Sequence, residues 1–253
     1  MTALSPLGLP ATIRACLFDL DGVLTATAAV HARAWKDMFD AFLRSRPEGP
    51  REDHSPFDLV RDYASYVDGK PRADGVRDFL AARHIDVPEG RPEDPPEADT
   101  IHGLGNRKDQ IFLGLIHRDG VQAFEGSRRY VKAARSAGLK LAVVSSSKHC
   151  SEVLRAAGLD AAFDARVDGN VAEERRLKGK PAPDTYLEGA RMLGVDPRAS
   201  AVFEDAIAGV QAGRAGGFGL VVGIDRAGQK AALREHGADV VVRDLGDLMD
   251  GAR

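Results

Sequence analysis

The chain has 253 residues, 43% of them hydrophobic and 29% charged, which is enough to bury a full core in one or two domains and excludes a disordered or collagen-like chain. Its 35 basic and 38 acidic residues leave a formal net charge of -3, so there is no excess of positive charge for indiscriminate binding to a phosphate backbone, and nucleic acid is not expected as a partner.

Residues ahead of Ile13 read as a tail. They show neither the basic start nor the long apolar stretch of a secretion signal, so the cytoplasm is the expected location. The first strand is expected at Ile13 to Asp19, because Ala15-Cys16-Leu17-Phe18 is a continuous apolar run of the kind buried on both faces. From Thr27 the period becomes helical, with Val30, Ala34, Met38, Phe39, Phe42 and Leu43 recurring at threes and fours until Arg46-Pro47. Further helices are expected at Phe57 to Tyr66, Ala73 to His84 and Asn106 to His117. A polar turn, Val67 to Arg72, separates the first two of these. Asp86 to Asp99, rich in proline and acid and without apolar period, reads as an exposed loop.

Beyond Val121 helix and strand alternate. Helices are expected at Gly126 to Ala137, His149 to Ala157, Pro183 to Leu193, Ile207 to Ala215 and Gln229 to Glu235, several ending in glycine as at Gly138, Gly158 and Gly194. Strands are expected at Leu139 to Ser145, Ala165 to Val167, Ala201 to Phe203, Phe218 to Ile224 and Asp239 to Val242. The longest apolar runs, such as Leu141 to Val144, fall far short of the roughly 20 residues a membrane span requires. The two cysteines, Cys16 and Cys150, are too few for a disulfide framework or a thiolate metal site and read as packing residues. This alternation predicts an α/β fold, a doubly wound parallel-sheet (Rossmann-like) core, with an inserted all-helical subdomain between its first two strands. The expected division is residues 1–26 and 119–253 for the core and 27–118 for the insert.

Ligands of an open parallel sheet sit beyond the carboxyl ends of its strands. There stand Asp19 and Asp21 after the first strand, Ser145, Ser146, Ser147 and Lys148 after the second, and Glu204 and Asp205 after the Ala201 strand, while Lys180 lies in a loop before a helix. Carboxylates hold a hard divalent cation, and hydroxyl, backbone N–H and ammonium groups hold phosphate. Each residue alone reads more simply: Asp19 as a solvated strand end, Ser145 as a helix start, Lys180 as a surface charge, and Glu204-Asp205 as acids favouring the start of the next helix. Together they answer the needs of one reaction.

The Asp-x-Asp-Gly-Val run Asp19 to Val23, Ser145, Lys180 and the pair Glu204-Asp205, in this order, resemble the haloacid dehalogenase-like superfamily, in particular its phosphotransferases with a helical cap. That resemblance implies Asp19 as a nucleophile forming an aspartyl phosphate, Asp21 as general acid and base, and Ser145 and Lys180 as phosphate and charge partners. It implies Mg2+ held by Asp19, Glu204, Asp205 and the backbone carbonyl of Asp21.

Other stretches resemble the β-phosphoglucomutase family. These are Asp19 to Ala28 with His31 and Arg33-Ala34-Trp35, the cap loop Gly69-Lys70-Pro71-Arg72, the basic pair Arg107-Lys108, and Ser145 to Lys148. The implied substrate contacts are Thr27, His31, Trp35, Gly69, Arg72, Lys108, Ser147 and Lys148, with Arg72 and Lys148 as candidates for a second phosphate. Outside that context Trp35 reads as packing, His31 as a solvated neighbour, and Arg72 and Lys108 as surface charge. Ala26 stands where the family carries Asp, His149 where it carries Asn, and the acidic loop is extra. The expected partner is a small phosphorylated sugar, with no membrane or nucleic acid, and the protein is expected to be a monomer. A sugar-phosphate phosphatase of the same superfamily uses the same motif residues, and a non-catalytic binding module on the same fold is the third reading.

Overall fold

The computed structural model describes residues 6–47 and 49–249, and the chain divides into two compact units, Met1–Ala26 with Val121–Arg253, and Thr27–Gly120. The first unit is built on a six-stranded parallel sheet. Its strands are β1 (Ala15–Phe18), β2 (Lys140–Val144), β3 (Ala165–Val167), β4 (Ser200–Glu204), β5 (Leu220–Ile224) and β6 (Val240–Val242), in the order β3-β2-β1-β4-β5-β6. Around them lie the helices α4 (Glu125–Ser136), α5 (Cys150–Ala156), α6 (Gly169–Glu174), α7 (Asp184–Leu193), α8 (Ile207–Ala215), α9 (Lys230–Glu235) and α10 (Gly246–Met249).

Every residue of β1 is fully buried, which is why the sequence shows a continuous apolar run there rather than an alternation. Leu17, Ala142, Val144, Val202 and Val221 of the sheet meet Tyr186, Ala190 and Leu193 of α7 and Val210 and Ala212 of α8 in one core. Gly194 closes α7 in the left-handed conformation, with φ of 64°. The expected tail is partly core: Leu7 and Leu9 are buried, and the Tyr130 hydroxyl donates to the Leu7 carbonyl at 3.0 Å. Residues 1–5 of that tail lie outside the described residues.

The second unit holds α1 (Thr27–Ser45), a π-helical turn at Tyr63–Val67, α2 (Arg72–Ala82) and α3 (Ile101–Asp119). Trp35, Met38, Phe39 and Phe42 of α1 pack with Phe57, Phe79 and Leu104 in a separate aromatic core. The helix expected at Phe57 to Tyr66 begins later and runs further. Asp58 accepts the N–H groups of Val60 and Arg61 at 2.9 and 2.8 Å, and Tyr63 donates to the Asp58 carbonyl at 3.3 Å, so the helical hydrogen bonds start beyond this cap. α3 in turn starts five residues before the expected Asn106. Thr100 caps it through the Gly103 N–H at 2.9 Å, and the two poor helix formers Gly103 and Gly105 had hidden this first turn. No described helix is long and apolar enough to cross a membrane.

Candidate active site

The sheet order reverses at β1, whose neighbours are β2 on one side and β4 on the other, and loops leaving two strands at such a point diverge to open a crevice. In register, Phe18 of β1 stands beside Val143 and Phe203. The next residue, Asp19, donates its N–H to the Phe203 carbonyl at 2.9 Å, which sets its side chain level with Glu204 at the end of β4. Carboxylate oxygens of Asp19, Glu204 and Asp205 lie within 4.8 Å of one another, and all three residues are buried. Asp21 is half-buried, its backbone pairs with Thr25, and its carboxylate is not one of this set.

Lys180 reaches the same point from its loop. Its Nζ donates to Asp19 Oδ1 at 2.6 Å, to Glu204 Oε1 and, more weakly, to the Val144 carbonyl at 3.4 Å. Glu204 also accepts the Tyr186 hydroxyl at 2.9 Å and the Ala206 N–H at 3.1 Å, so both of its oxygens are fixed. Burial alone would lower the Lys180 pKa, but Asp19 and Glu204 outweigh it and raise it, keeping the ammonium charged. Burial pushes the Asp19 carboxyl well above the usual carboxylate range, against the pull of Lys180 and with the push of Glu204 and Asp21. Three carboxyl groups around one ammonium make a buried oxygen-donor set, which fits a hard divalent cation.

Two glycines make this crowding possible. A Cβ on Gly22, whose φ is 87°, would fall 1.8 Å from Asp205 Oδ2. One on Gly209, in the first turn of α8, would fall 1.8 Å from Glu204 Oε1. Gly209→Ala must therefore displace Glu204 or α8, and kcat/KM is expected to drop on the order of a hundredfold, as ångström-scale misplacement of a reacting group does. A variant within threefold of wild type would show that the Glu204 position is immaterial.

Ser145 follows β2 and is buried, and its Oγ accepts the Ser147 N–H at 3.1 Å while Ser147 Oγ accepts the His149 N–H at 3.1 Å. These bonds wind residues 145–149 into a tight turn with successive backbone N–H groups, the form that cradles anions. Lys148 leaves it: its ammonium is exposed and pairs with Glu173 at 2.5 Å.

Sequence reasoning missed several participants. Tyr186 looks like any aromatic on an apolar helix face. From the segment after β5, Arg226 Nε donates to the Gly22 carbonyl at 2.9 Å and Gln229 Nε2 to the Asp205 carbonyl at 2.9 Å, so one loop ties down both carboxylate-bearing turns. Only the fold brings residues so distant in sequence together.

The other expected substrate contacts belong to the second unit. Lys108, although a lysine, is buried, with Nζ 2.5 Å from His31 Nδ1 and 5.1 and 4.9 Å from the ring centres of Trp35 and Phe112. Because an ammonium only donates, His31 Nδ1 accepts, which puts the proton of the neutral ring on Nε2. His31 stacks on Phe112 at 3.9 Å. His31, Trp35 and Lys108 are thus one cluster, and Thr27 is buried at the start of α1. The expected basic pair is divided, since Arg107 turns away to the Pro96 carbonyl at 2.6 Å and Asp99 at 3.1 Å. Gly69 takes φ of 69° in the turn before α2. Arg72 opens α2, and its guanidinium donates to Asn106 Oδ1 at 3.1 Å and pairs with Asp109.

This sheet with an acidic cluster at its switch point, and an all-helical insert after the first strand, define a class. The haloacid dehalogenase-like hydrolase family profile matches residues 13–217, and the chain belongs to that family. It is 56% identical over 246 residues to β-phosphoglucomutase of Mycobacterium bovis, covering 96% of this chain and 94% of that protein. With β-phosphoglucomutase of Bacillus subtilis it shares 30% identity, over 93% of this chain and 92% of the other. Among solved structures it is similar in fold to β-phosphoglucomutase from Clostridium difficile, with a TM-score of 0.73 and 24% identity over 93% of each chain.

Proposed function

We propose that the chain is a Mg2+-dependent phosphotransferase that interconverts β-D-glucose 1-phosphate and D-glucose 6-phosphate through glucose 1,6-bisphosphate. The observation that carries the chemistry is Asp19, buried at the end of β1 beside Lys180 and grouped with Glu204 and Asp205. What supports the sugar is 56% identity to a β-phosphoglucomutase along nearly the whole of both chains.

An Asp19 oxygen attacks the phosphorus of the bound phosphate, the bond from phosphorus to the sugar oxygen breaks, and Asp21 gives that leaving oxygen its proton. In the reverse transfer a sugar hydroxyl attacks the aspartyl phosphate and Asp21 takes the proton back. Lys180 offsets the charge gathered on the phosphoryl oxygens, and Ser145 and the N–H groups of its turn hold one of them. Asp19, Glu204, Asp205 and the Asp21 carbonyl would hold Mg2+, which supplies the further charge neutralisation needed when one anion attacks another. His31, Trp35, Lys108, Thr27 and Gly69 are the residues assigned to the sugar. Arg72, rather than the Glu173-paired Lys148, meets the second phosphate, since a guanidinium can grip it bidentately. Ser147 shapes the first phosphate turn. The substrate is a small soluble sugar phosphate, handled by a monomer in the cytoplasm.

The test supplies β-glucose 1-phosphate, Mg2+ and a trace of glucose 1,6-bisphosphate, and follows glucose 6-phosphate and free phosphate together. Glucose 6-phosphate is expected to form much faster than phosphate, to stop on exhaustive chelation and to return with Mg2+. Faster release of phosphate would make the protein a sugar-phosphate phosphatase, and full activity after chelation would exclude the metal.

A further inference from the structure

Residues 86–99 form an irregular, largely exposed stretch, yet they are held at many points. Ile101 donates to the Pro88 carbonyl at 3.0 Å, Thr100 Oγ1 to Asp94 at 2.7 Å, Arg107 to the Pro96 carbonyl at 2.6 Å, and Arg77 pairs with Glu89 at 2.6 Å. Gly90 takes φ of 73°, and a Cβ there would lie 2.1 Å from Asp94 Oδ2, so the turn is closed tightly on itself. Prolines at 88, 92, 95 and 96 limit the freedom the segment must lose on ordering. Such a segment has the character of a fixed strut.

Among its contacts with α3, one side chain links it to Arg72. Asn106 Nδ2 donates to the carbonyls of Pro92 at 2.9 Å and Asp94 at 2.8 Å. These two acceptors fix the sense of the amide, because turning it over would set its oxygen against two other oxygens. The Asn106 oxygen is thereby aimed at Arg72, whose Nη2 donates to it at 3.1 Å. Three residues along the same face of α3, Asp109 takes the other terminal nitrogen. A guanidinium carries five N–H donors, and each of these partners takes a different nitrogen, so the head is held in place with donors left to meet a phosphate. Asn106 does this without charge. A second carboxylate at that position would cancel the positive charge that draws the anion.

We infer that Asn106 is a positioning residue for the distal phosphate of a sugar bisphosphate, and that the 86–99 segment acts on substrate selection by fixing the Asn106 amide against Arg72. This rests on the role of Arg72 proposed above. The Asn106–Arg72 contact pre-orders a long, rotamer-rich side chain before ligand arrives, so its loss falls on binding rather than on the chemical step.

Steady-state kinetics with glucose 1,6-bisphosphate as the varied ligand test this in wild type, Asn106→Ala, Asn106→Asp, Arg72→Ala and the Asn106→Ala/Arg72→Ala pair. Asn106→Ala is expected to raise the bisphosphate KM by about 3–10-fold with kcat within about twofold. Asn106→Asp, nearly the same in volume, is expected to raise it further, by about 10–30-fold, by placing a second carboxylate on the guanidinium. Arg72→Ala should cost about 10–100-fold, and adding Asn106→Ala to it should change KM by less than about twofold, since residues acting through one another are not additive. Full additivity, or an equal fall of kcat and kcat/KM in Asn106→Ala, would overturn the inference. If Arg72→Ala leaves the bisphosphate KM unchanged the inference also fails, and glucose 6-phosphate formation by the wild type then shows whether the mutase reading itself survives.

Discussion

Asp19→Asn is expected to abolish turnover, by roughly four powers of ten or more, while leaving the sheet intact, as loss of a covalent nucleophile does. The amide keeps the shape of the carboxylate and an oxygen that can accept from Lys180, and the backbone bond from residue 19 to Phe203 does not depend on the side chain. Because burial pushes the Asp19 carboxyl up, a neutral amide there relieves a desolvation cost, so the melting temperature should stay level or rise. A second readout isolates the covalent step. Wild type incubated with bisphosphate labelled in its phosphoryl groups and quenched in acid should carry label on the protein, and the variant none. Activity within a hundredfold of wild type would sink the aspartyl-phosphate route.

Lys180→Met is expected to be strongly destabilising. The Lys180 side chain is 1% exposed and is paired with both Asp19 and Glu204, the latter fully buried. Removing one partner of a buried ion pair leaves charge uncompensated and costs about 3–5 kcal/mol. Methionine fills the stem volume but offers no charge, so three carboxylates then face one another. Mg2+ should raise the melting temperature of the variant more than that of wild type, because a cation that binds only the folded state stabilises most where charge is least balanced. It should not restore turnover. Thermal unfolding with and without Mg2+ decides this, and equal shifts in both proteins would show that Lys180 and the metal do not share one charge balance.

Much of this was written locally in the chain. A strand buried on both faces must be apolar throughout, so Ala15–Phe18 could be read directly, and the polar residues that interrupt such runs at Asp19, Ser145 and Glu204 mark strand ends for the same reason. The π-helical turn at Tyr63–Val67 could not be read, since it depends on where the Asp58 carboxylate settles rather than on apolar spacing. Nor could the burial of Leu7 and Leu9, whose flanking prolines suggest an irregular tail. Tyr186 gave no sign that its hydroxyl would meet Glu204, and Arg226 and Gln229 act on carbonyls of turns far off in sequence. Side-chain chemistry at strand ends shows in a sequence. The partners that hold it in place are chosen by the tertiary fold.

Placing Asp19 at the end of an inner strand also sets the order in which the molecule can be built. Ala15 lies beside Lys140 on one side and Ser200 on the other, so β1 is made before every other strand of the sheet and waits longest for its neighbours. Contacts so remote in sequence close slowly, whereas helices within Thr27–Gly120 find one another through shorter loops. Until β4 has been made, a wholly apolar strand has an open edge, the form most prone to pairing with another chain. Nascent or truncated forms ending before residue 200 are therefore the aggregation-prone ones, and the same delay keeps Asp19 from Lys180 and Glu204 until the rest of the site exists.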